Sequence, residues 1–146
     1  MLKLTLNETV HLDKWDIDII PYISIKNMES IINHLISCDN GMEREMALIA
    51  DVLVACTDIY SDEDANYTYE EVLYSGLWDD IMEACPHIRR NIEQIKSEVD
   101  DVLSVKWSLI KFIDTMTEKV KSIDYENFDA DKFIKAMQLM ASKIGE

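Results

Sequence analysis

Glycine, proline and basic charge are what this sequence has least of. Among 146 residues there are three Gly and two Pro, at Gly41, Gly76, Gly145, Pro21 and Pro86. A β-sandwich or barrel needs turn residues about every 8–12 positions, so this scarcity favours helices. It also excludes phosphate loops, dinucleotide fingerprints and nucleophile elbows, each of which needs glycines at fixed spacing. No apolar run approaches the roughly 18 residues of a membrane span. Residues 1–8 alternate Leu with polar residues and lack the apolar block of a signal peptide, so the expected location is cytoplasmic. Cys38, Cys56 and Cys85 are odd in number and widely spaced, which suits reduced thiols in a reducing compartment better than a disulfide framework.

Positive charge is scarce in one half of the chain. The net charge is −15; residues 1–86 carry 18 acids against 4 Lys/Arg, and residues 87–146 carry 11 against 10. Between Arg44 and Arg89 there are eleven acids and no Lys or Arg. Such a stretch repels nucleic acid and anionic membranes and attracts basic surfaces. It also suits a solvated face that keeps a protein dispersed. As a partner-binding face, its candidate residues are Asp58, Asp62, Glu63, Asp64, Glu70, Glu71, Asp79, Asp80 and Glu83.

Local patterning predicts a mainly α fold: a helical bundle with a long C-terminal helix and a small N-terminal β-hairpin. Leu2, Leu4 and Leu6, then Trp15, Ile17 and Ile19, alternate with polar residues, predicting an antiparallel strand unit over residues 2–20 with Asn7-Glu8 and Asp13-Lys14 as its turns. Pro21 ends it, because proline cannot donate to a ladder. Ser24 can cap a helix over 25–37 with Met28, Ile31, Ile32, Leu35 and Ile36 as its stripe. A second helix is expected over 42–60, with Met46, Ile49, Leu53 and Cys56 inward. Residues 61–67 read as an acidic loop. Thr68 with Glu71 matches a capping box, and Gly76 suits a left-handed helix end. Trp78–Ala84 should form another short helix. Asp129 can cap a last helix carrying Phe133, Met137, Met140 and Ile144.

From His87 to Lys143 no Gly or Pro occurs. Ile88, Ile92, Ile95, Val99, Val102, Leu109, Ile113, Met116, Val120 and Ile123 follow alternating steps of four and three, a heptad seam whose one polar position is Lys106. Unbroken, this helix would span roughly 54 Å. Its middle, around Leu103, Val105, Trp107, Ile110 and Phe112, is apolar on several faces and calls for cover by other helices or a partner. Ile95, Val99, Val102, Leu109, Ile113 and Met116 are the candidate assembly seam, serving an intramolecular helix pair or a homo-oligomer. The change in charge near Pro86 marks two lobes, 1–86 and 87–146, of a single domain.

The chemistry-bearing residues assemble no recognisable site. Asp62, Asp64 and Asn66 match the first ligands of a calcium loop, but Tyr67 and Leu73 stand where it needs Gly and Glu. His34 with Cys38, and Cys85 with His87, are pairs without the second pair that zinc requires. Cys85 and His87, two residues apart on a helix, point in different directions. No catalysis, metal or cofactor is expected.

Two stretches resemble a known kind of protein. Met42-Glu-Arg-Glu-Met-Ala-Leu-Ile-Ala-Asp-Val-Leu-Val-Ala-Cys-Thr-Asp-Ile59 and Tyr69-Glu-Glu-Val-Leu-Tyr-Ser-Gly-Leu-Trp78 are similar to helices of small proteins encoded among the virion genes of phages of Gram-positive bacteria. The order of strand unit, Pro21-Tyr22-Ile23 and helices is also similar to tail assembly chaperones of long-tailed phages. The likeness covers about residues 2–95. It implies a non-enzymatic role in virion morphogenesis, with virion proteins as partners, in the host cytoplasm or the virion. The acid-only span supports an alternative: a phage-encoded, anti-CRISPR-like inhibitor that mimics nucleic acid and occupies the basic groove of a host nucleic-acid enzyme. Neither role involves direct binding of nucleic acid or membrane.

Overall fold

The computed structural model describes residues 6, 8–62, 64, 66–123 and 128–143. Among these the protein is mainly α-helical, with one two-stranded antiparallel hairpin and one helix much longer than the others. It divides into two compact units, Met1–Val99 and Asp100–Glu146.

The first unit opens with β1 (Val10–Leu12) and β2 (Ile17–Ile19), paired Val10 with Ile19, His11 with Asp18 and Leu12 with Ile17. Ile17 and Ile19 turn inward and Asp18 outward, as period-two alternation requires. The expected strand over Leu2, Leu4 and Leu6 lies outside the described residues except for Leu6, which is exposed. Trp15 belongs to the turn, not to a strand. Asp16 completes that turn at φ 52°, a conformation that Asp tolerates better than most residues. A lone hairpin is marginal in water. This one is tied down where Ile20 N–H donates to Cys56 O (2.7 Å) and Asp18 N–H to the Asp58 carboxylate (3.2 Å).

Helix α1 (Ile25–Ser37) starts where Ser24 accepts from Asn27 N–H, and it buries Met28, Ile31 and Leu35. Helix α2 (Gly41–Cys56) is capped by Asn40 and buries Leu48, Ile49, Val52, Leu53 and Cys56. Met46, expected inside, is exposed. The helix stops four residues before the expected end because Thr57 is extended and bridges Ile19, while its hydroxyl returns to Leu53 O (2.7 Å). Nothing in the local sequence announces that stop; the hairpin imposes it.

Helix α3 (Tyr69–Tyr74) carries the full capping box between Thr68 and Glu71. Gly76 then turns at φ 88° and leads directly into α4 (Leu77–Ala84), which buries Leu77 and Ile81. Helix α5 (Pro86–Lys121) is unbroken. Within the first unit its opening turns bury Ile88, Ile92, Ile95 and Val99, and Asn91 accepts from Ile23 N–H (3.0 Å). Each fully buried Ile or Val contributes roughly 1.5–3 kcal/mol, so this end of the seam is a principal stabilising element of the unit.

The second unit holds the rest of α5 and helix α6 (Ala130–Lys143). Asp129 caps α6, accepting from the N–H groups of Asp131 and Lys132. Phe133, Met137 and Met140 are half-buried on α6, and no α6 residue is fully buried. Ile144 lies outside the described residues.

Candidate functional site

The acids of residues 58–83 do several different jobs. Glu70 and Glu71 sit in the first turn of α3, and Asp79 and Asp80 in the first turn of α4, where the helix dipole favours negative charge. Glu71 accepts from Thr68 N–H at 2.7 Å, and this bond, with that of the Thr68 hydroxyl, holds its carboxyl below the usual range. Asp80 accepts from Lys14 Nζ (2.9 Å) and from Trp15 Nε1 (2.7 Å), which lower its pKa in that order. Asp58 receives the backbone of β2, and Asp62 the N–H of Asp64 (3.2 Å). These four carboxylates therefore shape local structure. Glu70, Asp79 and Glu83 are exposed on the helices. Glu63 lies outside the described residues.

Sequence reasoning missed what the hairpin turn does. Lys14 lies over the Trp15 ring, 4.7 Å from its centroid, and both side chains bond Asp80 on α4. Beneath the turn, Trp15, Ile17, Ile59, Tyr67, Val72 and Leu77 line an open, mostly apolar cavity of about 250 Å³, with Glu71 at its edge. Its chemistry suits an apolar side chain presented beside a cationic one. The available signal was an isolated Lys-Trp pair in an otherwise acidic lobe. A second feature is His11, whose ring lies 2.8 Å from Asp18 and 3.6 and 3.5 Å from Asp13 and Asp16. The hydrogen bond with Asp18 leads in raising its pKa.

The candidate seam splits in two. Ile95 and Val99 are buried, Met116 is half-buried, and Val102, Leu109 and Ile113 are exposed, as is Val120. Around them Leu103 and Phe112 are half-buried, whereas Val105, Trp107 and Ile110 are exposed. Among the described residues, this section of α5 meets α6 across a groove lined by Ser108, Lys111, Phe112 and Thr115 on one side and Met140 and Lys143 on the other.

The remaining reactive groups stand apart. All three thiols are free. Burial, and then the neighbouring Cys85, push Cys56 up to about 12, and it donates weakly to Tyr22 O (3.6 Å). Cys85 is buried while His87 is exposed. Cys38 caps the C-terminal end of α1 and is half-buried. His34 bonds Asp51 at 2.6 Å, joining α1 to α2. Among the described residues no group of His, Cys, Asp or Glu is placed to hold a metal ion, and no helix is long and apolar enough to cross a membrane. Comparisons with protein-family models, with curated proteins and with solved structures give no match.

Proposed function

We propose that this chain is a non-enzymatic phage protein that acts through protein–protein contacts in virion morphogenesis, as a head or tail component or an assembly chaperone. The observation that carries the binding role is the apolar face of α5 left in solvent at Val102, Leu109, Ile113 and Val120. Contiguous exposed apolar surface of this kind marks an interaction site. The phage setting comes from the resemblance over residues 42–59 and 69–78. A photoreactive residue in place of Trp107, itself exposed, should cross-link to other virion proteins in infected cells. Absence of virion proteins among the cross-linked products would overturn this role.

A second reading, the acidic inhibitor, is favoured by the exposed acids Glu70, Asp79 and Glu83 and by the nearby apolar cavity under Trp15. A basic host enzyme would then be captured by a photoreactive residue at Asp79, and salt would weaken the complex steeply. Changing Asp62, Glu63 and Asp64 together to Asn or Gln should leave the fold intact. It should flatten the salt dependence only if the partner is basic.

A further inference from the structure

The hollow beneath the hairpin turn combines a fixed apolar shape with surroundings of one charge sign. Its floor is core: Ile17, Val72 and Leu77 are buried. Its roof is fastened, because Trp15 Nε1 donates to Asp80 and Lys14 Nζ bonds the same oxygen while lying over the indole ring. A hollow held open in this way asks little reorganisation of the protein on binding. Its volume of about 250 Å³ lies under the ~300–1,000 Å³ of pockets that enclose a whole small molecule. One bulky apolar side chain suits it, entering from a partner whose backbone stays outside.

Charge selects what flanks that side chain. The surrounding elements, residues 10–19 and 57–85, carry twelve acids and, as basic groups, only Lys14 and His11. Both are already engaged, Lys14 by Asp80 (2.9 Å) and His11 by Asp18 (2.8 Å). Glu71, at the edge of the hollow, accepts Thr68 N–H at one oxygen, and that bond holds it ionised. A carboxylate accepts at two oxygens, so Glu71 keeps one for a partner's donor. Tyr67, 49% exposed, forms a wall and offers its ring to a guanidinium. Tyr67 and Val72 also line a second apolar hollow with Met46, Tyr60 and Tyr69, again with one carboxylate, that of Glu43.

We infer that the Trp15 hollow is the docking point for an exposed basic segment of a partner protein, which inserts one Phe- or Leu-like side chain and sets a flanking Arg or Lys on Glu71 and Tyr67. The apolar anchor fixes the position of the segment. The surrounding acids speed its arrival and turn acidic segments away. The inference rests on the second reading above, in which the partner is basic, and names what that partner presents. It requires neither the phage setting nor the exposed stripe of α5.

The indole N–H signals of Trp15, Trp78 and Trp107 in the nitrogen-15 spectrum of the full chain test it. The probes are short peptides with a central Phe flanked by Arg residues, and versions with central Ala, with Gln flanks and with Glu flanks. The Phe-Arg peptide should shift the Trp15 signal saturably and leave that of Trp107 in place. Central Ala should weaken binding about tenfold or more, the effect of one buried aromatic side chain. Gln flanks should weaken it several-fold, and Glu flanks should abolish it. Glu71→Gln keeps the capping acceptor, since Gln serves at that helix position as Glu does. It should weaken the Arg-flanked peptide several-fold and leave the Gln-flanked one unchanged. Tyr67→Ala should weaken every Phe peptide with unchanged circular dichroism. The inference is overturned by any of five results: no saturable Trp15 shift by about 1 mM peptide; binding indifferent to the central Phe, which is general attraction of a polycation; an Arg preference undiminished in Glu71→Gln; phenethylamine binding as tightly as the peptide, which makes the occupant a small amine; or a Trp15 signal that moves with protein concentration alone, which makes it a second copy. Capture at Asp79 reports whether a basic protein meets the acidic face at all, so failure of the hollow is distinguishable from failure of that reading.

Discussion

Val99 and Ile113 occupy equivalent positions two heptads apart on the same seam, yet the same substitution should affect them very differently. Val99 is 4% exposed and Ile113 is 53% exposed. In Val99→Asp the carboxylate must either lose its hydration or take up a proton. Raising an Asp from about 3.9 to near 7 costs roughly 4 kcal/mol, at ~1.4 kcal/mol per pH unit. Loss of the buried Val adds about 1.5 kcal/mol or more. A total of roughly 5–6 kcal/mol consumes much of the ~5–15 kcal/mol stability of an ordinary domain. In Ile113→Asp the carboxylate stays in water and the loss is about 1 kcal/mol of partial burial. Urea unfolding of dilute protein, followed at 222 nm and through Trp15 and Trp78 in the first unit, separates the two. With a slope of about 1–3 kcal/mol/M, the Val99→Asp midpoint should fall by roughly 2 M or more, and that of Ile113→Asp by about 1 M or less. The Val99→Asp deficit should shrink as pH falls toward about 4, because the unfolded chain then also carries a protonated Asp. Equal shifts, or a larger shift for Ile113→Asp, would refute the division of the seam into buried and exposed halves.

Three further outcomes are expected. Gly76→Ala meets no neighbouring atom, so its effect is the left-handed backbone alone: a loss of about 1 kcal/mol, or about 4–8 °C in Tm for a unit of this size. Maleimide at neutral pH should modify Cys38 first and reach Cys56 and Cys85 only as the chain unfolds; rapid labelling of all three in native buffer would contradict the burial of the latter two. Docking of the hairpin, read by Trp15 emission, should be strongest between about pH 4 and 6.5. Asp80, held low, contributes above its unfolded value and loses that as pH falls through its folded one. His11, held high, contributes below 6.5 and loses that as pH rises through its raised value. Asp80→Asn should remove the acid limb and leave the alkaline one.

The sequence by itself determined the local elements. Ser24, Thr68 with Glu71, Gly76 and Asp129 mark helix ends because capping chemistry acts within three or four residues. A long helix after Pro86 is legible in a heptad pattern with one polar position, Lys106, in a stretch without Gly; that α5 runs its 36 residues without a break is left open by the sequence and decided by the structure. Only the tertiary structure decided where α2 stops, since Thr57 is drawn out of the helix by its bridge to Ile19, distant in sequence though adjacent in space. It also placed Trp15 and Lys14 on Asp80, a juxtaposition of residues more than sixty positions apart that no periodicity encodes. It divided the seam as well: periodicity records which face of a helix is apolar, but not how far along its length a neighbouring element covers that face. Ile88 to Val99 find such cover within their unit, while Val102, Leu109, Ile113 and Val120 do not, and that difference makes the candidate surface.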